Sequence, residues 1–273
     1  MKKIGILFLG LISAFSFSQN TRFVYQVSMK TDSTAAPKIE NAYLDISTEK
    51  SIFYGEKRMK RDSTIRLAMQ TRNFNFDRNS MEQFRTAITY SIEKNHATKT
   101  ISYKDRIARD QYWYDEDRTF NWKILPETVK IGEYETQKAE TTFAGRKWFA
   151  WFTQDLPFID GPYKFSGLPG LIVKVEDEKG DYSFDLKETK KIAELPNFES
   201  RFGNNIKVKR SEFLKQQEKF NKDPMSFFQN QGGGFAMRMG GNQNSQNEAE
   251  RRKMMEERLK EEAKANNNPL EKN

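Results

Sequence analysis

The 273-residue chain contains no cysteine and only one histidine, His96. Without cysteine there are no disulfides, no thiolate nucleophile, no cysteine-ligated metal and no lipidated N-terminal cysteine. With a single histidine, Ser-His-Asp and Cys-His catalysis lack material, and a zinc site lacks its preferred ligands. No metal or cofactor is therefore expected, and His96, beside Asn95, reads as an exposed turn residue. Long apolar runs are also missing. The longest, residues 4–17, falls short of the roughly 20 residues that a bilayer span requires. No phosphate-binding loop is present, since Gly232 to Gly234 lie in low-complexity sequence without the lysine of a P-loop. Charge of one sign is not concentrated: 46 basic and 38 acidic residues, net +8, are interspersed along the chain. A nucleic-acid binder would gather its basic residues on one face or arm, so nucleic acid is not an expected partner.

The N-terminus has the layout of a signal peptide. Lys2 and Lys3 precede the apolar run, and the small residues Ser16 and Ser18 stand where a peptidase cutting after Ser18 needs them. Export to the periplasm or cell envelope is the expectation. Beyond the cut, residues 22–30 alternate, with Phe23, Tyr25 and Val27 on one face, the period of a half-buried strand. Further strands are expected at 42–46, 52–54, 86–92, 101–107, 112–114, 120–125, 136–143, 146–152, 171–176 and 182–186. Their close spacing, without helical crossovers, points to antiparallel pairing. The charged stretch 56–78 reads as a flexible insertion with one helical turn near residues 65–69.

Past Pro196 the character changes. Ser211 is a candidate N-cap for a helix through Phe213 and Phe220 that stops at Asp223 and Pro224. Residues 229–247 are too poor in apolar side chains to offset the entropy of ordering. Residues 248–264 interleave acids and bases at helical spacing. The expected organisation is a signal peptide (1–18), an antiparallel β domain (19–200), a helical extension (201–228) and a low-complexity tail with a charged helix (229–273) that adds little stability. The fold class is thus all-β with a C-terminal helical extension, a strongly twisted antiparallel sheet that can curl into a half-barrel.

The densest signals lie between Trp122 and Leu186. Residues 145–152 read GRKWFAWF, and residues 155–172 read DLPFIDGPYKFSGLPGLI. Alternation places Trp148, Ala150 and Phe152 on one face of a strand and Phe149 and Trp151 on the other. The rings of Trp148, Trp151, Phe158, Tyr163 and Phe165 are either core or the anchors of a pocket or interface. Leu168, Pro169, Gly170 and Leu171 fit a type II turn, with proline presetting φ and glycine supplying φ > 0. On that reading Gly170→Ala costs about 1 kcal/mol. The alternative is that Gly167 and Gly170 let a ligand or partner backbone come close. The acidic run Asp115, Glu116, Asp117 does not follow calcium-loop spacing and reads as solvated.

With Gly167, Leu168, Pro169, Gly170, Leu171 and Ile172 intact, together with the Gly-Pro-Tyr-Lys-Phe of residues 161–165, Ala150 to Phe152, and Lys138 with Ala139, the chain resembles the GLPGLI family. The likeness covers about residues 85–190. It implies an extracytoplasmic protein of Gram-negative bacteria, in a family without an assigned activity whose gene neighbours are often TonB-dependent outer-membrane receptors. Members often carry a cysteine near Thr136, which this chain lacks, so no thiol chemistry carries over, and no catalytic residue does either. Three functions remain open: a non-enzymatic binding or accessory protein for an apolar ligand or an outer-membrane receptor, a carboxylate-based hydrolase, and a purely structural module.

Overall fold

The computed structural model describes residues 20–73, 82–198, 203–224, 226–227 and 245–272. The expected signal peptide and most of segment 229–247 lie outside the described residues. The twelve strands are β1 (Asn20–Met29), β2 (Lys38–Ile46), β3 (Lys50–Gly55), β4 (Ser91–Asn95), β5 (Ile101–Ile107), β6 (Asp110–Asp115), β7 (Lys123–Ile131), β8 (Tyr134–Phe143), β9 (Arg146–Thr153), β10 (Leu171–Asp177), β11 (Tyr182–Ile192) and β12 (Asn205–Lys207). They form one open sheet in the order β12-β6-β5-β4-β3-β2-β1-β11-β10-β9-β8-β7. Every pair is antiparallel except β12 with β6, which is parallel, so the sheet is mixed by that one short edge strand. The expected all-β fold with a helical extension, a twisted sheet of half-barrel form, is the one observed.

Alternation explains the layering. In β1, Phe23, Tyr25, Val27 and Met29 are buried together on the inner face. Ala42 and Leu44 of β2, Trp148, Ala150 and Phe152 of β9, and Tyr182 and Phe184 of β11 join them in one core. An open sheet needs a second layer over such a face. Three segments supply it. The first is the β9–β10 connection, residues 154–170, which folds back onto the inner face. The second is helix α2 (Arg210–Lys222), whose Phe213 packs 5.5 Å from the Tyr103 ring and 5.3 Å from the Tyr114 ring. The third is the C-terminal stretch 266–272.

Three expectations need correction. Over its described part the stretch 56–78 is not a loop with a single turn: Glu56–Thr71 is a sixteen-residue helix, α1, and residues 74–78 lie outside the described residues. Its apolar periodicity is negligible because it is held by charge, with Lys60 2.8 Å from Glu56, and by the buried Arg58, whose guanidinium lies 4.6 Å from the centre of the Phe198 ring. Helix α2 is capped at Lys209 rather than Ser211, with no side-chain capping bond, and ends at Asp223 as expected. The tail is not an appendage. After helix α3 (Ser245–Lys264), residues 266–272 return to the sheet, and Asn268 is buried. Low apolar content hid this, because the anchoring is made almost wholly of polar bonds.

Candidate functional site

The β9–β10 connection organises the interior. Phe165 lies at its hub, with ring centroids 4.8 Å from Trp148, 5.5 Å from Phe120 and 5.9 Å from Tyr163. Trp148, Tyr163 and Phe165 are all buried. Of the five aromatic candidates, these three form core and do not line a free surface. Trp151 faces the outer side, half-buried, with the Lys138 and Lys174 ammoniums 5.8 and 5.0 Å from its ring centre. Register explains the row: Lys138, Trp151 and Lys174 stand directly opposite one another across β8, β9 and β10.

The expected type II turn at Leu168 to Leu171 does not form. Gly170 N donates to Leu168 O at 2.8 Å, a three-residue turn around Pro169, while Leu171 N donates to Leu156 O at 3.2 Å. Gly170 has φ +144°, and a Cβ built there would lie 2.0 Å from Thr153 O. Both sequence readings meet here, since the position demands φ > 0 and also close approach. The approaching backbone is the chain's own β9. Leu171 and Ile172 then enter β10 fully buried.

Phe158, the fifth candidate, borders a cavity of about 350 Å³ lined by Ile46, Ser47, Thr48, His96, Lys99, Pro157, Phe158, Ile159 and Asp160. It lies where the β2–β3 and β4–β5 turns meet the β9–β10 connection. The buried Asp160 is its electrostatic centre. Lys94 Nζ donates to Asp160 Oδ1 at 2.5 Å, to Gly161 O at 2.6 Å and to Phe165 O at 3.1 Å. Three acceptors for three N–H bonds is the arrangement of an ammonium, although burial pulls the Lys94 pKa below the ordinary lysine value. Burial alone would raise Asp160, but Lys94 and His96 outweigh it and hold the carboxyl below the usual range. Structurally, the ion pair pins the β9–β10 connection to β4.

His96 lies in the β4–β5 turn as expected, but it is only partly exposed and is not without partners. Its Nε2 lies 3.8 Å from Asp160 Oδ2, and its Nδ1 lies 3.2 Å from the Thr48 carbonyl. Asp160 raises the imidazole pKa, with Thr48 adding to the effect against partial burial. Acceptors near both ring nitrogens favour the protonated imidazole. Nothing in sequence spacing links His96 to Asp160, 64 positions on. The apolar Phe158–Ile159 pair next to an acid was the only local hint, and Ile159 is 68% exposed.

A second charged cluster lies deeper. Lys164 is fully buried and donates to Glu116 Oε2 at 2.6 Å, Glu271 Oε1 at 2.6 Å and the Tyr114 hydroxyl at 3.0 Å. The rings of Tyr103, Tyr114 and Tyr163 surround its Nζ at 5.0 to 5.4 Å. The expected solvated acidic run is corrected at Glu116, whose side chain is 1% exposed, while Asp117 is exposed as expected. Burial by itself would raise this carboxyl, but Arg118 and Lys164 bring it down to about 2. Among the described residues no cluster of His, Asp and Glu could hold a metal, and no helix is long and apolar enough to cross a membrane.

An open, internally plugged half-barrel is the class of structure these elements define. Two solved structures of PNGF-II share it, with TM-scores of 0.51 and 0.52 at 19% and 17% identity. Each match covers 72% of this chain but only 33% and 32% of the other, so the chain spans about a third of their length. A LolA superfamily protein from Nitrosomonas europaea aligns over 66% of this chain and 88% of its own at 10% identity, with a TM-score of 0.28, too low to argue from. No curated protein matches the sequence. Residues 141–174 match a family described as "Protein of unknown function (Porph_ging)". That span runs from the end of β8 through β9 and the plugging connection into β10.

Proposed function

We propose that the chain is an exported, non-enzymatic binding protein of the GLPGLI type, and that its ligand is a small amphipathic anion held in the His96 cavity. One observation carries the reading: an apolar wall of Ile46, Pro157, Phe158 and Ile159 faces Lys99 and the imidazole of His96, with the Asp160 charge offset by its ion pair to Lys94, in a space of about 350 Å³. That is within the usual size of small-molecule sites, which are mostly apolar with a few placed polar groups. Octanoate is a suitable probe. By isothermal titration, Lys99→Glu should weaken octanoate binding about tenfold or more, equivalent to about 1.4 kcal/mol. Affinity should also fall as pH rises through the raised His96 pKa, because the cation is present below that value and lost above it. Equal affinity for octanoate and octanol, or no change with Lys99→Glu, would rule the site out.

Docking on an outer-membrane receptor is a second reading, favoured by the outward row Lys138, Trp151 and Lys174. Trp151→Ala removes the central ring of that row without opening the inner core. The expected result is an unfolding midpoint within a few degrees of wild type and loss of receptor co-purification from envelope extracts. A loss of about 3 kcal/mol or more would instead make Trp151 a packing residue.

A further inference from the structure

The last residues of the chain are held as a peptide is held by a receptor. Asn268 N donates to Thr31 O at 2.8 Å, and its side-chain amide donates to Lys30 O at 2.7 Å. Tyr182 OH donates to Asn268 O at 2.6 Å. Arg146 reads three consecutive residues, donating to Asn268 Oδ1 at 2.7 Å, Pro269 O at 2.8 Å and Leu270 O at 3.0 Å. That guanidinium is itself oriented by Asp177 at 2.7 Å. Leu270 packs against the core. The Glu271 carboxylate then receives Tyr163 OH and Lys164 Nζ, each at 2.6 Å, and Arg118 at 2.8 Å, with Arg210 3.5 Å away. Lys272 N donates to Ala144 O at 2.8 Å. A Cβ on Gly145 would lie 2.8 Å from Lys272, so glycine there leaves room for the strap.

This is side-chain recognition of an irregular, bent segment, not a strand added to a sheet edge. Residues 268–272 pair with none of the twelve strands. Specificity is concentrated in an amide and, three residues later, a carboxylate that meets charged and phenolic donors. The recognising groups sit on β9, β11, α2, the β1–β2, β6–β7 and β8–β9 connections and the 154–170 connection, far from the strap in sequence. We propose that this groove is a peptide-binding site, occupied in cis by residues 266–272, and that its ligands are peptides carrying asparagine with an acidic residue three positions on, bound in the same bent form.

The full-length chain tests this by fluorescence anisotropy with a labelled peptide of residues 265–273. In wild type the tethered strap competes, at an effective concentration on the order of millimolar. Asn268→Ala combined with Glu271→Ala weakens the strap, and this variant should bind the peptide about tenfold or more tightly than wild type does. The same peptide with glutamine in place of Glu271 should bind about tenfold more weakly, since it loses the charge-assisted bonds. If the double variant loses its near-ultraviolet circular dichroism, the strap is a fixed structural element and the proposal fails. It fails equally if the variant folds but binds the glutamate and glutamine peptides alike.

Discussion

Replacing Lys164 with methionine is expected to lower the unfolding free energy by about 3–5 kcal/mol, the usual cost of removing one partner of a buried ion pair. The ammonium is fully enclosed, with Glu116 and Glu271 as its two anionic partners. Methionine fills the volume but removes the ammonium between the two carboxylates, leaving Arg118 as the cation that bonds both. Burial draws the Lys164 pKa down, and the opposing charges of Glu271 and Glu116 more than reverse it. The acid limb should shift as well. Glu116 is held at about 2 when folded, below the ordinary glutamate value of about 4.3. Its contribution is therefore complete above that ordinary value and is lost as pH falls towards 2. Without Lys164 the folded value rises, and acid unfolding should begin at higher pH. Urea titrations of both proteins at pH 7 and pH 3.5 measure the two effects. A loss under about 1 kcal/mol at pH 7 would mean that the cage is open to water.

Gly170→Ala should cost about 3 kcal/mol or more, well above the roughly 1 kcal/mol that a simple glycine turn implies. Two penalties act together. The backbone sits at φ +144°, and the added methyl meets Thr153 O at 2.0 Å, with the Thr153 carbonyl carbon at 2.6 Å. Neither neighbour is a flexible side chain, so β9 and β10 must part for the methyl to fit. Pro169→Ala, acting mainly through the unfolded chain, should cost about 1 kcal/mol or less. Thermal unfolding of the pair gives the comparison, and equal losses would show that the turn, not the contact, governs this position.

The strands were legible because their burial is one-sided. Phe23, Tyr25 and Val27, or Tyr182 and Phe184, advertise period two to any reader of the sequence. Helix α1 was not, since a helix stabilised by Glu56–Lys60 and a single buried arginine has no apolar stripe to detect. The aromatic density of residues 148–165 marked the right region but not the right role. Rings on a connection that folds back beneath its own sheet look, in sequence, like rings that line a cleft. The His96–Asp160 and Lys164–Glu116–Glu271 clusters were invisible for a different reason. Each joins elements that meet only through the sheet order, and Glu271 lies in what composition marks as a disordered tail.

The placement of β1 bears on how the protein reaches its fold. β1 lies inside the sheet, bonded to β2 on one side and to β11 on the other. The Asn20 side chain bonds Ala193, 173 positions away. A nascent chain can form the hairpins from β2 to β6 as they emerge, but the two wings of the sheet cannot join until β11 is available. Loop-closure entropy falls on that late step, which places the protein among slow, high-contact-order folders. Until then the apolar row Phe23, Tyr25 and Val27 borders an unpaired edge, the kind of surface a holding chaperone shields. The sequence order of the strands thus delays completion of the sheet until its last third has been made.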